Sequence, residues 1–115
     1  MEVHIFDRIY KKVLKIKNYK EKKIIIAGIT YKPNVADLRN SLSINIFKRL
    51  KRKLSNIVAY DPTIESQLAK KLGIEISFQK IRKADIFIFL VNHDEFKNIY
   101  KYARKNNKTI LDPFF

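Results

Sequence analysis

Between Gly28 and Asn40 the chain reads Gly-Ile-Thr-Tyr-Lys-Pro-Asn-Val-Ala-Asp-Leu-Arg-Asn, and this stretch concentrates the residues that could do chemistry. Lys32 and Arg39 are its cations and Asp37 is its acid. An ammonium and a guanidinium on one loop can neutralise a phosphate or diphosphate, Lys as a point charge and Arg as a planar fork. The same residues admit a plainer reading, in which Arg39 pairs with Asp37 and Lys32 is solvated. Spacing alone leaves both open. Elsewhere the chemistry is sparse. The chain has no cysteine, which removes disulfides, thiolate metal sites and a thiol nucleophile of its own. His4 and His93 stand far apart, without partners at metal-ligand spacing. His93 reads as a helix-entry residue at the rim of a cleft. Asp61-Pro62 reads as a strand stop or, from the same sheet edge as the loop, as a ligand contact.

The elements around the loop explain why it matters. Ile24-Ile25-Ile26-Ala27 is a short apolar run that reads as a buried strand, with Lys23 at its start. Residues 41–54 read as an amphipathic helix, with Leu42, Ile46, Leu50 and Leu54 recurring every four positions. A strand that ends in glycine and feeds a helix opens a βαβ unit. Such connections usually take about two to six residues, and this one is roughly twice as long. A long polar loop off the carboxyl end of a parallel strand lies where open α/β sheets bind ligands.

Before the loop, residues 4–18 place Ile5, Ile9, Val13 and Ile16 on one helical side, with Phe6, Tyr10 and Leu14 beside them. After it, Ile57–Tyr60 predicts a second strand. Thr63 is the expected N-cap of a helix reaching Leu72 through Ile64 and Leu68, and Gly73 its C-cap. Ile74–Phe78 predicts a third strand, and residues 79–83 a turn of helix. Asp85–Val91, the most apolar run, predicts the central strand. Asp94 can cap a helix through Ile99 and Ala103, and Thr109–Leu111 closes as the last strand. Alternating strands and helices predict an α/β, Rossmann-like three-layer fold with a five-stranded parallel sheet and an N-terminal amphipathic helix. The 115 residues are expected to form one domain, with residues 1–19 as leading helix and connector and 20–115 as the core.

Composition narrows the function. The formal charge of +14 favours any polyanion, so non-specific binding at low salt is expected. Lys48, Arg49, Lys51, Arg52 and Lys53 cover an arc of roughly 200° opposite the apolar stripe of their helix. No aromatic is interleaved with them, as nucleic-acid modules usually require, so they read as a solvated face. With two glycines in the chain, the three-glycine fingerprint of NAD binding is absent, as is a Walker loop. No apolar run approaches the ~18 residues of a membrane span. The N-terminus lacks the features of a signal peptide, and a cytoplasmic location is expected.

Gly28-Ile-Thr-Tyr-Lys32, Asp37-x-Arg39-x-Ser41, Tyr60-Asp-Pro62, Ala84-Asp85 leading into His93-x-Glu95-Phe96, and Leu111-Asp112 follow one another in order. The series resembles the C-terminal, UDP-binding domain of the UDP-glucose/GDP-mannose dehydrogenase family, over about residues 20–112. The first block is its specific part. The resemblance implies a module of an NAD-dependent UDP-sugar 6-dehydrogenase, an oxidoreductase that turns a sugar's primary alcohol into a carboxylate. Tyr31 and Lys32 match the aromatic-lysine pair lining the family's sugar-nucleotide site. Arg39 is grouped with them as substrate-binding, and Gly28, Asp37 and Ser41 as loop-shaping; Asp37 and Arg39 are both expected chiefly to shape the loop.

The resemblance implies UDP-sugar as the ligand and NAD as cofactor of a complete enzyme, with none bound by this chain. The family's NAD-binding and central dimerisation domains have no counterpart in these residues, so the chain reads either as a separately encoded part, with an NAD-binding half as its partner, or as a truncated piece of a longer enzyme. Family members often follow the last strand with aspartate and then arginine, whereas Asp112 here precedes Pro113-Phe114-Phe115; weaker substrate affinity is then expected. A non-enzymatic nucleotide-sugar binder and a basic nucleic-acid-associated protein are the alternatives. The resemblance also implies a cysteine, outside this domain, that carries a covalent intermediate. The expected outcome for the isolated 115-residue chain is therefore no NADH from any UDP-sugar, because hydride acceptor site and thiol are both lacking. Absorbance at the NADH band checks this, and turnover by rigorously purified protein would contradict it.

Overall fold

A computed structural model describes residues 2–29, 42–90, 94 and 96–111. The described elements are α1 (Glu2–Leu14), a 3-10 turn (Tyr19–Glu21), β1 (Ile24–Ala27), α2 (Leu42–Lys53), β2 (Ile57–Tyr60), α3 (Ser66–Leu72), β3 (Ile74–Glu75), α4 (Phe78–Ile81), β4 (Ile86–Phe89), α5 (Phe96–Lys105) and β5 (Thr109–Leu111). The five strands form one sheet in the order β3-β2-β1-β4-β5. Every pairing is parallel, with Ile24 opposite both Ile57 and Ile86, and Ala27 opposite both Tyr60 and Phe89.

Strand periodicity divides the core into two layers. Alternate side chains of a strand face opposite sides. Ile24, Ile26, Ala59, Ile86 and Ile88 therefore meet the apolar sides of α1, α2 and α3. Ile25, Ala27, Phe87 and Phe89 meet Ile81 of α4 and Phe96, Ile99 and Ala103 of α5. All four residues of β1 and of β4 are buried, which is why both runs are apolar without alternation. Helices α2 and α3 belong to the β1-β2-β3 half of the sheet. On the same face, Ile5, Ile9 and Val13 of α1, which packs against α2, belong to the same buried cluster as Ile86 and Ile88 of β4, and Leu111 of β5 is partly buried against that cluster. The leading helix is thus part of the core. Arg49 of α2 lies 4.3 Å over the Phe6 ring, which ties the two helices at the surface.

Several expectations shift in detail. The most apolar run is interior, but the middle position belongs to β1; apolarity reports coverage of both faces, which β1 and β4 share, and not rank in the sheet. Thr63 does not cap α3. Its N–H and hydroxyl both donate to the Asp61 carboxylate, at 2.9 and 2.6 Å. The helix begins later, and the Glu65 side chain caps it by accepting from the N–H groups of Gln67 and Leu68. Gly73 is the C-cap, with φ 74°. The third strand stops at Glu75 because that carboxylate takes the N–H groups of Ile76 and Ser77. Leu14, Leu68 and Leu72 are exposed, while Ile64 and Ala69 supply the burial expected of α3.

Ile9→Ala, at a site with no exposure, is expected to cost about 2–5 kcal/mol. Leu14→Ala, 42% exposed in the same helix, should cost less than about 0.5 kcal/mol. Urea denaturation of the pair checks whether α1 belongs to the cooperative unit; equal small losses would detach it.

Candidate functional site at the carboxyl edge of the sheet

From β1 the chain runs through α2 to β2, and from β4 through α5 to β5. Since β1 and β4 are neighbours and their helices lie on opposite faces, the chain diverges at their carboxyl ends. This is the topological switch point, where a crevice opens in a doubly wound sheet. The connection from β1 to α2, with the candidate cations, is rooted here.

The root is tightly held. Gly28 N–H donates to the Tyr60 carbonyl at 3.0 Å and Leu90 N–H to the Ala27 carbonyl at 2.9 Å, extending the ladders past the last paired residues. Gly28 has φ 103°, a conformation that L side chains rarely adopt. Ile29 is fully buried, and its N–H donates to Asp61 Oδ2 at 2.9 Å. Asp61 Oδ1 accepts from Thr63, as described above. The carboxylate, with no exposure, therefore bridges the exits of β1 and β2 and fixes the loop's origin. Of its two readings from sequence, the structural one fits this geometry. The residue pair marked a strand end; its bond to a residue 32 positions away was invisible in the spacing.

A ring cluster lies at the same edge of the sheet. Phe96, at the start of α5, lies 6.1 Å from Tyr60 and 6.0 Å from Phe89, between centroids. Phe89 also meets Tyr100 at 5.7 Å. These tilted contacts hold the first turn of α5 against the ends of β2 and β4. The individual aromatics were readable in sequence, but not their convergence on one edge.

Of the six residues expected at the site, Gly28 is described and occupies the loop root. Tyr31, Lys32, Asp37, Arg39 and Ser41 lie outside the described residues, as do His93 and Asp112. The basic side chains Lys48, Lys51, Arg52 and Lys53 are exposed on α2, and Arg49 is half-buried against Phe6. Among the described residues, no group of three or more His, Cys, Asp or Glu could hold a metal, and no helix is long and apolar enough to cross a membrane. Chemically, the N–H groups of Gly28 and Ile29 already have acceptors. An anion in this crevice would need other donors, such as the side chains that follow along the loop.

Comparison with known proteins matches residues 25–114 to the UDP-glucose/GDP-mannose dehydrogenase family, UDP binding domain. The UDP-N-acetyl-D-mannosamine dehydrogenase of Salmonella typhi is 38% identical over 88 residues, covering 72% of this chain and 21% of that protein. The Methanocaldococcus jannaschii protein of the same name is 32% identical over 96 residues, covering 78% and 22%. The native structure of the UDP-N-acetyl-mannosamine dehydrogenase from Staphylococcus aureus aligns with a TM-score of 0.73 at 26% identity, over 97% of this chain and 26% of that one. The chain spans about a fifth to a quarter of the length of the curated relatives it matches.

Gly28→Ala is expected to destabilise the chain by about 1–3 kcal/mol, the cost of a side chain held at disfavoured positive φ. Denaturant unfolding measures it. Stability equal to wild type would mean that the exit from β1 does not demand this backbone.

Proposed function

The chain belongs to the UDP-glucose/GDP-mannose dehydrogenase family, and on that premise we propose that it is the nucleotide-sugar-binding module of an NAD-dependent UDP-sugar 6-dehydrogenase. The observation that carries this reading is the family match over residues 25–114, which starts in β1 and contains the loop rooted at the switch point. Lys32 neutralises the diphosphate, Tyr31 packs against the sugar-nucleotide, and Arg39 adds positive charge, with Asp37 serving the loop rather than the ligand. Gly28 and Ser41 shape the two ends of that loop. The names of the relatives point to a UDP-linked 2-acetamido sugar as the substrate class.

NAD accepts hydride in the complete reaction, and the described residues of this chain do not fit it. A dinucleotide fold aims free backbone N–H groups from a glycine-rich turn at the pyrophosphate. Here the first turn has one glycine, and the N–H groups of Gly28 and Ile29 are already donated. The hydride acceptor and the thiol that carries the covalent intermediate then belong to another polypeptide segment or partner. This chain binds and orients the nucleotide end of the substrate, in a cytoplasmic setting.

Lys32→Ala should weaken UDP binding by about 1.5–3 kcal/mol, the range for a hydrogen bond to a charged group. Lys48→Ala removes the same charge from the exposed face of α2 and should leave the affinity nearly unchanged. Calorimetric titration of both variants with UDP makes the comparison. Equal losses would mean that general basicity, rather than a site, attracts the nucleotide.

A further inference from the structure

We propose that Asp61 is a positioning residue of the nucleotide site: it sets where the ligand-binding loop leaves the sheet without itself touching the ligand. This inference rests on the nucleotide-binding reading above. Three observations carry it. The carboxylate has no exposure. Its Oδ2 accepts from the N–H of Ile29, the last described residue before the loop, at 2.9 Å. Its Oδ1 accepts the N–H and the hydroxyl of Thr63, at 2.9 and 2.6 Å. One side chain thus joins the exits of two adjacent strands. Charge-assisted bonds of this length are strong and directional, so the position of Ile29, from which the loop departs, depends on where Asp61 sits.

The chemistry gives the proposal a sign. UDP is an anion, so a neighbouring carboxylate repels it. If Asp61 acted only through its charge, neutralising it would tighten UDP binding. If it positions the loop, neutralising it weakens binding. Asparagine separates the two cases. It keeps the size of aspartate but has one acceptor oxygen, and its amide group donates. Whichever way it turns, either Ile29 N–H or the Thr63 donors face another donor.

The experiment is UDP titration of the wild-type chain and of Asp61→Asn, with amide hydrogen exchange read residue by residue. The expected result is a UDP affinity at least about tenfold weaker, the size of one lost charge-assisted hydrogen bond. Exchange at Ile29 should accelerate while Ile25–Ala27 stay protected. Unchanged or tighter binding by Asp61→Asn, with the wild type binding UDP, overturns the positioning role and leaves the nucleotide reading intact. A wild-type chain that does not bind UDP overturns both. If Asp61→Asn loses protection throughout, Thr63→Val decides: it removes one donor to the same carboxylate and should weaken UDP binding by about threefold, with Thr63→Ser restoring it. Unchanged binding by Thr63→Val, in that case, overturns the proposal.

Discussion

Burial of β1 between two parallel neighbours is the constraint on which the rest of the structure depends. Its four residues are paired on both edges and covered on both faces. Parallel neighbours cannot be joined by a tight turn, so each connection must cross over through a helix. Crossovers on both faces bring all carboxyl ends to one edge and make the chain diverge there, between β1 and β4. The position of the candidate site follows from strand polarity before any functional side chain is considered. The same constraint explains α1. The crossovers α2 and α3 serve the β1-β2-β3 half of their face, and α1, packed against α2, adds its buried Ile5, Ile9 and Val13 to the same apolar layer.

Rigidity at the edge comes from polar bonds that cross between strands. Gly28 bonds to Tyr60, Leu90 to Ala27, and Ile29 to Asp61. A buried carboxylate is tolerable only where its oxygens find donors; here Ile29 and Thr63 supply them. The opposite edge has its own tie, where Asn56 donates through Nδ2 to the carbonyls of Tyr19 at 2.8 Å and of Lys22, holding the turn before β1 to the start of β2. The sheet is pinned at both ends, and the long loop is mounted on the end that carries the topological switch point.

Much of the fold was legible because its signals are local. Apolar runs marked β1 and β4, a four-residue recurrence marked α2, and Gly73 marked the end of α3. What escaped was set by side chains acting at a distance or competing for the same donors. Thr63 looks like an N-cap in isolation, but its hydroxyl is turned onto the Asp61 carboxylate, the helix starts later at Ser66, and the Glu65 carboxylate accepts the first N–H groups of α3 instead. Glu75 ends β3 by turning its own carboxylate onto the next two N–H groups. Strand order was equally unreadable, since β1 and β4, two of the three interior strands, carry the same apolar signal. For the site, the sequence placed a loop with Tyr31, Lys32 and Arg39 after β1, and the structure supplies its root. The role of Asp61 needed the fold, because Ile29 and Asp61 meet only once β1 and β2 pair.

A titration of the isotope-labelled chain with UDP, followed by amide NMR, tests the central claim most directly. A nucleotide-sugar-binding module with its site at the switch point should show saturable shifts at Gly28, Ile29, Leu90, Asp94 and Phe96, around the carboxyl ends of β1 and β4. The exposed cations of α1 and α2, such as Lys11, Lys48 and Arg52, should show small, unsaturated changes that salt removes. Saturable shifts confined to the α1–α2 surface, or no saturable shifts at all, would contradict the account.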